Sequence, residues 1–221
     1  YKEVRVVMIK IIIGITLLAC SFFSYAFEIY STGGSIESCI KAPSKEKFTT
    51  DLANLLKAKG LNAYVIDGGS GQDYLPLLFQ RLTESVNLKT RIIIYVSPGG
   101  GYKHPEWQQL QYIEKVLRFA QEKNLATIVV LPEKSLTPDS AFLQKTDALV
   151  AKYDAYDYGS YAKNVPLEGK YWKYKIDAAR PISAGPQEKG AKKYMSGAGC
   201  ELWAENMLPL VMQVIEERNI Q

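Results

Sequence analysis

The chain has 221 residues, 47% of them hydrophobic and 23% charged, with a formal net charge of +4. That balance excludes a disordered polymer and describes a folded chain long enough to bury one sizeable core. The positive excess is too small to indicate a nucleic-acid partner, and none is expected.

From Met8, the segment "MIKIIIGITLLACSFFSYA" has a lysine, an apolar run from Ile11 and a small-residue ending at Ala26. This layout predicts a secretory signal peptide cut after Ala26, with residues 1–7 as an upstream extension. Two alternatives are a lipid anchor on Cys20 of "LLAC" and an uncleaved anchor, since about 19 apolar residues suffice to span a bilayer. Export to the periplasm, the outer membrane or the medium is therefore expected, with membrane attachment only through such an anchor. Cleavage would leave Cys39 and Cys200, either as a disulfide in an oxidising compartment or as two buried thiols.

Strands are predicted at 27–31, 62–66, 91–96, 127–131 and 155–158. Helices are predicted at 45–59, 74–86, 105–123, 140–153 and 200–218. Ser44 is expected to cap the first helix and Gly60 to end it, while Pro105 opens the third and Asn124 closes it. In that third helix Trp107, Leu110, Ile113, Leu117 and Ala120 are expected to face the sheet. Runs such as "RIIIYV" and "TIVVL" suit parallel strands buried on both faces. The fold class is α/β: a three-layer α/β/α sandwich around a mostly parallel sheet of about five strands, flavodoxin-like in type.

Ligand sites in such sheets form at the carboxyl ends of the strands, here "STGGS", "DGGSG", "SPGGG" and "PEKS". The first of these turns is of the kind that lifts a nucleophilic serine, Ser35, out of a sheet. Residues 159–198 break the strand–helix alternation. Between 161 and 193 there are eight Lys/Arg against three Asp/Glu, interleaved with Tyr161, Tyr171, Trp172 and Tyr174. These four aromatics are read as a contact surface or, equally, as a strap of anchors packed over the sheet.

These blocks resemble the SGNH (GDSL) hydrolase superfamily, whose members are esterases, lipases and carbohydrate deacetylases on an α/β/α sandwich. The resemblance spans most of residues 27–221, which read as a single domain of that type. The family's Gly-Asp-Ser-Leu block falls on Gly33-Gly34-Ser35-Ile36, and its oxyanion glycine on Gly71 of "GGSGQD". Its Gly-x-Asn-Asp block falls on "SPGGGY". Its Asp-x-x-His block falls on "AKKYMSGAG", which puts Tyr194 at the histidine position and Ala191 at the aspartate position.

The resemblance thus implies a nucleophile position, Ser35, and an oxyanion position, Gly71, but several substitutions. Gly34 replaces the first-block aspartate, Gly100 or Gly101 the oxyanion asparagine, and Tyr194 and Ala191 the acid–base pair. A serine without a base is a poor nucleophile, and loss of an oxyanion donor costs a further ~2.7–4 kcal/mol. His104, the sole histidine, follows the third strand and is a substitute base or simply the exposed start of a helix. Lys192 or Lys193 could serve only if burial depressed its pKa. No metal-ligand cluster is present and no cofactor is expected. The resemblance also brings the first and last blocks together, which favours a Cys39–Cys200 bridge.

The expectation is an exported, non-catalytic SGNH-like module with protein partners in the bacterial envelope. The alternatives are a serine esterase or deacetylase rebuilt around Ser35, and a glycan-binding module.

Overall fold

The computed structural model describes residues 26–34, 39, 42–43, 46–70, 75–97, 105–131, 141–166, 170–173 and 194–220. The expected signal segment before Ala26 lies outside them, as do Ser35, Ser44, Gly71, Gly100, Gly101, His104, Tyr174, Ala191, Lys192 and Lys193.

Five parallel strands form the central sheet: β1 (Phe27–Thr32), β2 (Ala63–Asp67), β3 (Thr90–Val96), β4 (Ala126–Leu131) and β5 (Tyr156–Ser160), in the order β2-β1-β3-β4-β5. Residues on alternate sides of the strands feed two cores, as a period of two requires. Ile29, Ile92, Ile94, Ile128 and Val130 pack with α1 (Phe48–Ala58) and α5 (Gly197–Glu217). Tyr30, Ile93, Tyr95, Val129 and Leu131 pack on the other face. That face is covered by α2 (Leu75–Ser85), α3 (Glu106–Glu122) and α4 (Ala141–Lys152). The result is the expected three-layer sandwich.

Local chemistry accounts for the helix ends, with corrections. Gly60, at φ +82°, ends α1 with the Leu61 N–H on the Leu56 carbonyl and its own N–H on Lys57. Asn124, at φ +54°, closes α3 in the same way. The helix starts at Phe48, later than expected, and the residue before it, Lys47, makes no side-chain capping bond; Ser44, the expected cap, lies outside the described residues. Lys47 instead pairs with Asp67 at 3.0 Å.

Trp107 is 67% exposed, whereas Ile113, Leu117 and Ala120 are buried as expected. At about 100° per residue, Trp107 lies roughly 120° round the helix from Ile113. The inward face runs instead through Gln109, Tyr112 and Val116.

Two short strands were not anticipated within 159–198. β6 (Trp172–Lys173) and β7 (Tyr194–Met195) pair antiparallel. Tyr161 and Trp172 are buried in the core, at 4% and 2% exposure, so neither belongs to a contact surface. They are anchors: Tyr161 meets the rings of Trp172 and Trp203 edge-on, and Trp203 stacks on Phe48 at 4.1 Å. Tyr171 is only partly buried.

Candidate functional site

The strand order reverses at β1, which pairs in parallel with β2 on one side and β3 on the other. The crevice outside the carboxyl ends of these strands is where an open parallel sheet places a ligand. The loop after β2 runs back along β1: Gly68 N–H donates to the Ser31 carbonyl (2.8 Å) and Ser70 N–H to Gly33 (3.1 Å). Gly68 is required for that approach, because a β-carbon there would collide with the Tyr30 ring. Asp67 at the start of the loop is held by Lys47, and Arg81 of α2 reaches the Gly68 carbonyl at 3.4 Å.

On the far side of β1, Ser97 continues β3. Its N–H donates to Val130, and its buried hydroxyl donates to the Gln109 side chain at 3.2 Å. The hydroxyls of Ser31 and Thr32, at the end of β1, are buried without a hydrogen-bond partner among the described residues. Such groups are uncommon enough in folded proteins to mark the locality.

The third wall is the start of α5. Ser196 caps it: its hydroxyl accepts from the Gly199 N–H at 3.2 Å and donates to the Lys170 carbonyl, while its own N–H donates to Tyr171. Gly199, the glycine of the last block, packs its first turn against the Tyr171 carbonyl, leaving no room for a side chain. A disulfide joins Cys39 to Cys200, both fully buried. The segment carrying Ser35 therefore starts at Gly34, beyond the end of β1, and finishes at Cys39 on the bridge to α5.

Electrostatically, this wall is acidic. Asp51 of α1 has one carboxylate oxygen buried without a partner among the described residues. Burial pushes its pKa up to about 6, with Glu201, Glu46 and Glu205 adding to the effect. Tyr95, in the second core, is also shifted upward by burial, and its hydroxyl has no partner among the described residues. Among the described residues, no cluster of His, Cys, Asp or Glu is placed to hold a metal ion.

The structure thus brings together the flanks of the first, second and last blocks: Gly33 and Gly34, Gly68 to Ser70, and Tyr194 to Cys200. Sequence reasoning missed Ser196, although a serine directly before a helix is the ordinary capping signal. It also missed Gln109, a buried polar side chain on a helix that otherwise reads as simply amphipathic.

Comparison with solved structures gives the same fold. TesA superposes with a TM-score of 0.65 at 12% identity, covering 85% of this chain and 99% of its own. The psychrotrophic esterase EstA from Pseudoalteromonas sp. also gives 0.65, at 9% identity, with 86% and 98% covered. AlinE4, an SGNH-hydrolase family esterase, gives 0.55 at 17% identity, with 86% and 97% covered. By sequence, no family model matches the chain and no curated protein does.

Proposed function

We propose that this chain is an exported SGNH-like protein lacking the family's acid–base pair, and that it acts as a non-catalytic structural or binding subunit of a bacterial envelope or secretion assembly. The observation that carries this reading lies just before α5. From residue 178 to Cys200 the chain contains neither aspartate nor histidine. The three positions leading into the helix are Tyr194 and Met195 of β7 and Ser196, whose hydroxyl is taken up by the cap. His104, the one histidine, belongs instead to the segment between β3 and α3. A serine at position 35 then has no base supplied from the last block.

Export is supported by the Cys39–Cys200 bridge, since such bonds persist in oxidising compartments. Among the described residues no helix is long and apolar enough to cross a membrane. The proposed contact surface is the basic stretch 161–193. Its exposed part includes Lys163 and Lys170, together with the partly buried Tyr171. Nothing in this reading calls for a metal or cofactor.

The second reading is a serine esterase using Ser35, the Gly71 backbone and His104. The observation in its favour is that solved structures sharing this fold include esterases. Labelling with a fluorophosphonate separates the two. An unlabelled protein that is folded by circular dichroism supports the non-catalytic reading. Labelling that is lost in both Ser35→Ala and His104→Ala overturns it in favour of the esterase.

A further inference from the structure

The sheet has two outer strands, β2 and β5, and only β5 is guarded against pairing with another chain. β5 is interrupted by a bulge, Val129 pairing with Asp157 but Val130 with Gly159, and Gly159 stands at φ +79°. The end of α5 also closes over its start. There Arg218 donates to the carboxylate and carbonyl of Asp154 at 2.7 and 2.6 Å, and the Tyr156 hydroxyl donates to Glu217 at 2.9 Å. Bulges, charges, prolines and covering elements are the usual means of blunting a sheet edge. Among the described residues, β2 has none of them from Ala63 to Ile66. Its register with β1 is unbroken, and no proline, glycine or charge occurs from Leu61 to Ile66.

The backbone on the outer side of β2 is open. The Phe27 N–H donates to the Asn62 carbonyl and the Gly68 N–H to the Ser31 carbonyl, so the even-numbered residues here bond to β1. By the alternation of a parallel ladder, the N–H and carbonyl groups of Ala63, Val65 and Asp67 point away from the sheet. Side chains alternate as well. Ala63 and Val65 pack on the core beneath α1, whereas Tyr64 and Ile66 lie on the opposite face, 57% and 39% exposed. On that face Leu82 of α2 shares a core with Tyr30 of β1, one strand further in. Leu77 of α2, 43% exposed, borders the uncovered step. It lies one helical turn before Arg81, which reaches the Gly68 carbonyl just beyond β2. Three large exposed apolar side chains thus stand along one unguarded edge.

A second copy fits this edge in register. In an antiparallel pair centred on Val65, Ala63 stands opposite Asp67 of the second copy and Val65 opposite Val65, so each outward N–H meets an outward carbonyl. Tyr64 then falls opposite Ile66 of the second copy, and Ile66 opposite Tyr64. These are the closely spaced, non-hydrogen-bonded positions, where aromatic and β-branched side chains support each other. No like charges meet along the seam: Lys57 and Lys59 precede the strand, and Asp67, which ends it, is paired with Lys47 at 3.0 Å. A strand carrying charges would set them against the row of Tyr64 and Ile66, which favours a copy of the same neutral edge. A two-fold contact of this kind also closes on itself.

We propose that two copies of this chain associate through their β2 edges, antiparallel about Val65, continuing each sheet into the other. The arrangement sets the two strand-end crevices at opposite ends of the joint sheet. It does not rest on whether Ser35 is catalytic.

The test is sedimentation velocity of the full chain from low to high micromolar concentration, with amide exchange followed residue by residue in ¹⁵N-labelled protein. A monomer–dimer equilibrium is expected. In the dimer the amides of Ala63, Val65 and Asp67 become protected, whereas those of Tyr64 and Ile66, bonded to β1, are protected in both states. Ile66→Lys places a charge in the seam, and Val65→Pro deletes an outward N–H without removing a bond to β1. Each should weaken association about tenfold or more. Ile66 is exposed, so the Ile66→Lys protein should retain the parent circular dichroism, and it decides the matter if Val65→Pro does not fold. Trp107→Lys, at an exposed aromatic on α3, should leave association unchanged. The proposal is overturned by a monomer at every concentration, by a dimer whose Ala63, Val65 and Asp67 amides exchange as in the monomer, or by association that survives Ile66→Lys undiminished.

Discussion

Gly68 and Asp51 are the two residues at which a single atom decides the most. At Gly68 the backbone lies against the Tyr30 ring and the Ser31 carbonyl, so an added methyl must displace a buried aromatic side chain in a close-packed layer. Gly68→Ala should lower stability by about 1–3 kcal/mol, read as a fall in urea midpoint at unchanged slope. At Asp51 the charged form is the disfavoured one. Its folded pKa, about 6, stands above the ordinary 3.8, so the folded state binds the proton more tightly than the unfolded state. Stability from this group is therefore greatest below pH 4, falls as pH rises towards 6, and stays low above that. Asp51→Asn removes the penalty and keeps the shape. It should raise stability at pH 7 by on the order of 1 kcal/mol, after allowance for solvent screening, and make no difference at pH 3.5. A melting-temperature series from pH 3.5 to 7.5, wild type beside variant, reads this directly. Glu46, Glu201 and Glu205 remain in the variant, so the two curves should separate only across the Asp51 titration.

Helix α5 shows at the level of an element what sequence patterns convey and what they hide. Its apolar run was enough to predict a last helix, but the start was expected at Cys200 and is found at Gly197. Gly197 and Gly199 have poor helix propensity, and they are tolerated because the turn they form is pressed against Glu46 and the Tyr171 carbonyl. Ser196 fixes that start. Ser196→Ala removes the cap and also leaves the Lys170 carbonyl without its donor, so it should cost about 1–2 kcal/mol. Ser196→Asp, a good cap that cannot donate when ionised, should recover only part of the loss; thermal melts of the three proteins decide it. The five sheet strands were legible to within a residue or two because Ile92 to Val96 and Ile128 to Leu131 are buried on both faces and read as unbroken apolar runs. β6 and β7 were not, since two residues carry no period. Trp107 misled because an aromatic near a helix start was counted on the inward face without its angle. The β5–α5 contact could not be read at all, since only packing brings Asn206 onto the Lys163 and Asn164 carbonyls. Of the candidate site positions, Gly34 and Tyr194 are placed, whereas Ser35 and Gly71 are known only by their flanks, Gly34, Cys39 and Gly68 to Ser70.

Across the whole molecule, the sheet and one covalent bond do different jobs. The order β2-β1-β3-β4-β5 sets the carboxyl ends of β1 and β3 side by side, and this architecture persists among solved structures at 9–17% identity. Such persistence is understandable, because the pattern of burial on two faces constrains volume and polarity far more than identity. The Cys39–Cys200 bridge spans 161 positions. In the chain-entropy model, closing so long a loop restricts the unfolded ensemble by about 5 kcal/mol. A domain's total stability is only ~5–15 kcal/mol. The bridge also bears on the fold locally: Cys39 sits at φ +44°, a conformation non-glycine residues rarely adopt, and its disulfide ties it to Cys200 of α5. Replacing both cysteines by serine should therefore bring the urea midpoint down sharply and steepen the transition, since an uncrosslinked chain exposes more surface on unfolding. Both cysteines being fully buried, the wild-type bridge should resist dithiothreitol under native conditions and open only as the protein unfolds. Mass-shift labelling of freed thiols across a urea series, in the presence of reductant, tests that coupling. Thiols that appear in step with unfolding mark a structural staple. Thiols that appear well before the transition would mark instead a bond that opens in the native state and releases the Gly34–Cys39 segment from α5.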